Sequence, residues 1–229
     1  FLQALFNTLK LMLVIPAVTI FLSLVFAFIL TQGQLKEKSF YRTVFFFPSI
    51  VSMTVVGIVW SFVFNPTRGI LNHMLDLFHL STWKHAWLGE GKTALWCIGA
   101  ALVWQAIGYY MVMYMSSMTS IPENLYEAAS LEGAGKVKQF FMITLPLIWD
   151  NIRTTLTFFV ISTINLSFMF VQLTSEGNLG SEVALNYMYN NAFAGKYGFG
   201  MAIGVCIFVF SFALSAIINK VTEREVLQY

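Results

Sequence analysis

The sequence predicts an all-α protein, a polytopic bundle of transmembrane helices carrying a helical elbow on the cytoplasmic side. Three observations predict it. The composition is 58% hydrophobic and only 10% charged, with a mean hydropathy of +0.72, which is more apolar surface than a soluble fold of 229 residues could bury. The charges are also segregated: 11–35, 43–67, 93–122, 154–175 and 197–219 hold no Asp, Glu, Lys or Arg, and each could cross a hydrocarbon core that needs about 20 apolar residues. Finally, 121–146 is too polar to cross a bilayer and too apolar for a floppy linker. Unpaired backbone N–H and C=O groups in lipid cost several kcal/mol each, so the membrane-embedded backbone is expected to be helical with almost no sheet.

The spans follow in order as A (9–31), B (43–64), C (93–119), D (151–173) and E (198–219). The A–B connection carries Lys36, Lys38 and Arg42, the C–D connection Lys136 and Lys138, and the tail Lys220 and Arg224. Lys10, Arg68, Lys84, Lys92 and Lys196 fall on the opposite side, so the positive-inside bias places the first set in the cytoplasm. Span A then enters from outside, which implies a further span upstream of Phe1 and six in the native chain. The chain reads as one transmembrane domain over 1–229, with the cytoplasmic loop 121–146 set into it. Within the outer loops, 69–79 and 182–193 show helical apolar spacing but are too short to span, as expected of helices lying on the membrane surface.

The loop Ile121-Pro122-Glu123-Asn124-Leu125-Tyr126-Glu127-Ala128-Ala129-Ser130-Leu131-Glu132-Gly133-Ala134-Gly135 carries most of the information. Pro122 suits a first helical turn, and Glu123 and Glu127 lie one turn apart near the positive end of the helix dipole. Gly133 and Gly135 permit a left-handed or tight break, after which a second helix reaches Pro146. Leu125, Tyr126, Ala129 and Leu131 supply apolar contacts, and Ala128 and Ala129 let another backbone approach closely. Such an elbow is built to dock.

Several chemistries are disfavoured. Gly91-Lys92-Thr93 lacks the leading glycine of a phosphate-cradling loop, where Ala86 stands, and no strand precedes it. His73, His79 and His85 match no metal-ligand spacing, and Cys97 and Cys206 lie in apolar runs without partners at ligand spacing. There is no G-x-S-x-G elbow, and Asp76 and Asp150 lie on opposite sides of the membrane, so no catalytic pair forms. A net charge of +2 without a basic face argues against nucleic acid. No enzyme activity, metal or cofactor is expected in this chain.

Near the middle of span C, Trp104, Gln105, Gly108, Tyr109 and Val112 share one helix face, and in span D Phe158, Ser162, Asn165, Met169 and Gln172 repeat with the same spacing. An amide such as Gln105 or Asn165 is costly in lipid and should point into the bundle, either as interhelical glue or lining a wet cavity. An aromatic and amide lining suits a sugar: amides hydrogen-bond hydroxyls, and Trp and Tyr faces cover the apolar faces of pyranose rings.

Glu127-Ala128-Ala129, Gly133 and Ile143-Thr144-Leu145-Pro146 together resemble the EAA loop of binding-protein-dependent ABC importer permeases. Arg42-Thr43, Phe47-Pro48-Ser49, Trp60, Phe64-Asn65-Pro66, Gly69, Asn72, Trp104 and Tyr126 look like the carbohydrate class, similar to maltose-type permeases. Leu131-Glu132 departs from the usual apolar residue and Asp, and Ser175-Glu176-Gly177-Asn178 from a frequent Gly-Gly-Pro turn. The resemblance implies a permease in a bacterial cytoplasmic membrane that passes a sugar or oligosaccharide. Its partners would be lipid, a second permease subunit, an extracytoplasmic sugar-binding protein and two cytoplasmic ATPase subunits that bind ATP and Mg. It assigns ATPase coupling to Glu127, Ala128, Ala129 and Gly133, with Glu127 facing a basic residue of the ATPase, and the substrate pathway to Trp104, Gln105, Tyr109 and Asn165. Two alternatives stay open: a permease for a phosphoester or polyamine, which would call for charge in the pathway, and a membrane scaffold subunit that moves nothing.

Single-cysteine variants test the topology. Positions 36 and 136 should label from the cytoplasm and 84 and 196 from outside, and labelling of 84 and 136 from one side would overturn the five-span arrangement.

Overall fold

The computed structural model describes residues 1–33, 36–91, 93–175, 177 and 180–223, so Lys92, Glu176, Asn178 and Arg224 of the sequence reading lie outside the described residues. Its helices are α1 (Leu2–Gln32), α2 (Lys38–Ile50), α3 (Met53–Val63), α4 (Ile70–Leu77), α5 (Ala94–Thr119), α6 (Glu123–Leu131), α7 (Lys136–Gln139), α8 (Leu145–Leu147), α9 (Trp149–Thr174), α10 (Ala184–Phe193) and α11 (Tyr197–Val221). A π-helical stretch, Phe140–Thr144, bridges α7 and α8. α1, α5, α9 and α11 are each long and apolar enough to cross a membrane.

The core sits where α1, α5 and α9 meet. Leu11, Ile15, Ile98, Met111, Tyr114, Phe159 and Phe170 are sealed there. A second cluster, Met12, Val160, Ile164, Ala184, Ile203 and Ile207, attaches α10 and α11. Lipid tails are as apolar as leucine, so helices gain little from apolar burial alone and rely on close packing and interhelical hydrogen bonds. The bonds are present: Ser23 Oγ donates to the Ile107 carbonyl at 2.8 Å, the Tyr114 and Thr155 hydroxyls lie 2.6 Å apart, and Trp149 Nε1 donates to the Thr222 carbonyl at 2.9 Å. Gly200 and Gly204, spaced as in a helix-association motif, face Ala192 and Met188 of α10, so that motif is used inside the chain.

Span B departs from the sequence expectation of one continuous helix. It is two helices, α2 and α3, bent by 99° at Val51-Ser52. Pro48 removes a backbone donor in the last turn of α2, Val51 and Ser52 are both extended, and Ser52 Oγ then caps α3 by accepting from Val55 N at 3.5 Å. The bend lies against the middle of α5. Gln105 Nε2 reaches the Val51 carbonyl at 3.5 Å, and α2 crosses so close that a Cβ on Gly108 would stand 1.8 Å from the Phe45 carbonyl oxygen.

The two ends of the bundle are distinct. The close of α1, the start of α2, the elbow α6–α8 and the close of α11 share one end, and Lys136 Nζ touches the Gln32 carbonyl there at 2.8 Å. At the other end lie α4, α10 and the loops around them. Asn72 organises the first of these loops, donating to the Pro66 and His85 carbonyls and accepting from Trp87 Nε1 at 2.7 Å. Beside it Lys84 pairs with Asp76 and holds that carboxyl below the usual carboxylate range. Both short outer helices form as expected, but α10 does not simply lie on a surface. Ala184 and Asn186 are buried, and Asn190, Asn186 and Gln172 form an amide chain that ties α10 to the end of α9.

Substituting Gly108 with Ala should force α2 away from α5 and destabilise the protein by about 1–3 kcal/mol, the range for overpacking a tight contact. The melting temperature of the detergent-solubilised protein reads this out, and an unchanged value would mean that the two helices are not in contact.

Candidate functional site: the α6–α8 elbow and the exposed stripe of α9

α6 ends in a Schellman turn. Ala134 N donates to the Ala129 carbonyl at 2.9 Å and Gly133 N to the Ser130 carbonyl at 3.0 Å, with Gly133 at φ +77°, the left-handed conformation that an L side chain resists. Gly135 is extended and starts α7, so the left-handed break belongs to Gly133 alone. Across the bend, the buried amide of Gln139 donates to Ser130 Oγ and the Ala134 carbonyl, both at 2.9 Å, with the Tyr126 carbonyl at 3.4 Å. The Tyr126 hydroxyl lies 2.9 Å from Thr144 Oγ1 and ties α6 to the π-helical turn. The elbow is therefore rigid through its backbone.

Its side chains are left uncovered. Glu127 and Ala128 are exposed, Ala129 is half-buried and Gly133 is open, with no atom within 4 Å of a Cβ placed on it. Leu131 is 91% exposed and Val137 62%. Apolar groups so bare, on an element so firmly held, form a contact surface rather than a packing defect. Between α6 and the end of α1 a cleft of about 660 Å³ is lined by Gln32, Glu123, Glu127, Ser130 and Lys136 among others. The sequence predicts docking contacts from Leu125, Tyr126, Ala129 and Leu131 alike. Leu125 and Tyr126 instead pack toward the core, and Leu131 points away from it.

The mid-membrane residues divide. Trp104 is 40% exposed, meets Trp60 edge-on at 5.6 Å and lines an apolar groove between α1 and α5. Tyr109 is half exposed and packs edge-on against Tyr110. Gln105 turns to the bend at Val51, and Gly108 is covered by α2, so the five residues of span C do not form one open lining. Asn165 corrects the expectation that it points into the bundle. The buried side of α9 is taken by Thr155, Phe159, Thr163, Ser167 and Phe170, which leaves Asn165 on an exposed stripe with Phe158 and Met169. No hydrogen bond or ring pairing joins Trp104, Gln105, Tyr109 and Asn165 to one another among the described residues.

With the elbow and the stripe in place, the chain can be compared with known proteins. Residues 3–228 match the family described as binding-protein-dependent transport system inner membrane component. The chain belongs to that family. Among its relatives, the diacetylchitobiose uptake system permease protein NgcF of Streptomyces coelicolor is 32% identical over 97% of this chain and 67% of its own length. The sn-glycerol-3-phosphate transport system permease protein UgpA of Escherichia coli is 32% identical over 85% of this chain and 65% of its own length. The fold is shared with the crystal structure of a bacterial alginate ABC transporter in complex with an alginate pentasaccharide-bound periplasmic protein, with a TM-score of 0.89 at 21% identity, covering 99% of this chain and 79% of that one. This binding-protein-dependent permease is thus a multi-pass inner membrane component of a transport system.

Gln139 was not singled out from sequence, because a glutamine in a polar loop looks solvated. Its signal was its position, one turn after Gly135 and facing back over the glycine bend. Replacing it with Leu should strand the Ala134 carbonyl and loosen the elbow. Replacing Gly133 with Val should cost on the order of 1–2 kcal/mol at that φ. Both should accelerate hydrogen exchange at the Glu132, Gly133 and Ala134 amides with the spans unaltered, and unchanged exchange in both would place the rigidity elsewhere.

Proposed function

We propose that this permease moves a sugar or oligosaccharide across the cytoplasmic membrane and takes its energy from a separate ATPase that docks on the α6–α8 elbow. The observation that carries the proposal is the elbow itself: a backbone locked by Gly133, Gln139 and Tyr126 that presents Glu127, Ala128, Leu131 and Val137 uncovered. Glu127 is the key contact, facing a basic residue of the ATPase. A charge-assisted pair that loses part of its water on docking is stronger than a solvated one. ATP and Mg belong to that partner, two copies of which would sit under two permease subunits, with an extracytoplasmic binding protein delivering cargo to the α4–α10 end.

The exposed stripe on α9 supports a passage between two permease subunits. An amide such as Asn165 is costly against lipid at mid-span, so it belongs beside water, cargo or a partner helix. Trp104, Tyr109 and Asn165 are the exposed pathway candidates. Gln105 contributes by holding the α2–α3 bend. UgpA makes the phosphoester reading a real rival, since its name specifies sn-glycerol-3-phosphate. The stripe itself favours an uncharged cargo, because from Phe158 to Leu173 α9 carries no Lys or Arg.

Two experiments test this. Glu127→Lys should abolish uptake and weaken ATPase association while the spans insert normally, and full uptake with normal association would remove Glu127 from the coupling contact. Asn165→Leu should lower uptake several-fold, as loss of one amide–hydroxyl bond worth about 0.5–1.5 kcal/mol requires, with the melting temperature retained. Trp104→Ala should also lower uptake, but it is the less clean test because Trp104 packs on Trp60. Uptake of two sugars of different length serves as the readout. A fall in melting temperature with unaltered relative preference would mark these side chains as packing alone.

A further inference from the structure

We infer that α1 is a strut that joins the coupling elbow to the loop Gly180–Ala184 on the opposite face of the bundle, with Lys136 and Asn7 as its polar attachments. The inference rests on the reading of the elbow as the ATPase contact. At the elbow end, Lys136 Nζ donates to the Gln32 carbonyl at 2.8 Å, and the rings of Phe28 and Phe140 lie 4.8 Å apart. A cation on the last carbonyls of a helix is favoured by their unpaired lone pairs and by the helix dipole. Lys38 adds a second one, with Nζ 3.3 Å from the Thr31 carbonyl. The return limb of the elbow thus grips a helix separated from it by more than a hundred residues of chain, by one polar and one aromatic contact.

At the far end, Asn7 and Thr8 are buried, at 5% and 2% exposure, and both bond to one loop, while the Thr8 hydroxyl donates to the Ala4 carbonyl of its own helix. Asn7 Nδ2 donates to the Gly180 carbonyl at 2.7 Å and the Glu182 carbonyl at 2.9 Å. Thr8 Oγ1 accepts from Ala184 N, the first residue of α10, at 2.8 Å. Between these attachments the helix is uninterrupted, Pro16 included, and buries Leu11, Ile15, Ala27 and Leu30. The two ends are about 37 Å apart at 1.5 Å per residue. α10 in turn rests on the end of α9 through Asn186 and Gln172, so the chain of contacts runs from the elbow through α1 to the outer end of the helix that bears the Asn165 stripe. Displacement of the elbow reaches that end along one continuous helix instead of through the loops.

Coupling between two sites is reciprocal, which makes the strut testable in both directions. Hydrogen exchange is followed in the full chain purified with whatever ATPase it retains. Lys136→Met should raise exchange at the Gly180–Ala184 amides about fivefold, the lower end of typical coupling, and Lys136→Arg should restore it. Asn7→Asp, which keeps shape but loses the donor, should raise exchange at Glu132, Gly133 and Ala134 by a similar factor. The double variant should exceed the larger single effect by little at either end, since both remove one connection. Effects confined to the substituted end, or equal acceleration at the Met111–Tyr114 core amides, would overturn the strut. ATPase retention is measured on the same samples. Its absence from the unsubstituted protein would overturn the elbow reading alone, while the exchange pattern still decides whether the two ends communicate.

Discussion

The structure depends on keeping every backbone polar group paired where no water can reach it. α1, α5, α9 and α11 meet that constraint by running helical across the apolar layer. Having met it, they have little apolar incentive to associate, so the bundle is assembled by small residues and single hydrogen bonds: Gly108 under Phe45, Gly200 against Ala192, Ser23 on the Ile107 carbonyl, Tyr114 on Thr155. The span that breaks between α2 and α3 does so where α5 is beside it, and Gln105 turns to the carbonyl that the break frees. Irregular backbone at membrane depth is tolerated where protein buries it or where it lines a water-filled cavity.

The same economy explains the elbow. An elbow that leaves its outer side chains bare must be kept from collapsing onto its own protein, and a short helix in water is marginal unless held. α6 is held from behind: Gln139 occupies the carbonyls and hydroxyl around the glycine bend, Tyr126 reaches Thr144, and Leu125 and Tyr126 pack toward the core. This frees the outer side, with Glu127, Ala128 and Leu131, for contact. The departure at Leu131-Glu132 from the usual family pattern falls on this outward surface, where the fold itself places little constraint on the residue.

Family membership and the exposed stripe of α9 answer different questions. The match over residues 3–228 establishes an inner membrane transport component. Relatives of comparable identity bear names for a chito-oligosaccharide and for a phosphoester, so membership alone does not choose a cargo. In the proposed reading the choice falls to the exposed mid-span side chains, where Trp104, Tyr109 and Asn165 offer rings and an amide and no cation.

What the sequence determined by itself is what local composition controls. Uncharged runs marked the membrane-crossing segments, glycine and proline marked the elbow, and apolar spacing marked α4 and α10, because hydrocarbon thickness, backbone φ and helical period act on neighbouring residues. The pattern Glu127-Ala128-Ala129 with Gly133 and Ile143-Thr144-Leu145-Pro146 also made the family legible. What only the tertiary structure decided is which face of each helix meets which neighbour. The hydrophobic pattern of a span is nearly uniform around its circumference, since lipid and core are equally apolar, so orientation leaves little trace in the sequence. That is why Asn165 was expected inside the bundle and stands on its outside, why the break within span B at Val51-Ser52 was not legible, and why Asn7, Thr8 and Gln139 gained their roles only when residues remote in the chain came within hydrogen-bonding distance.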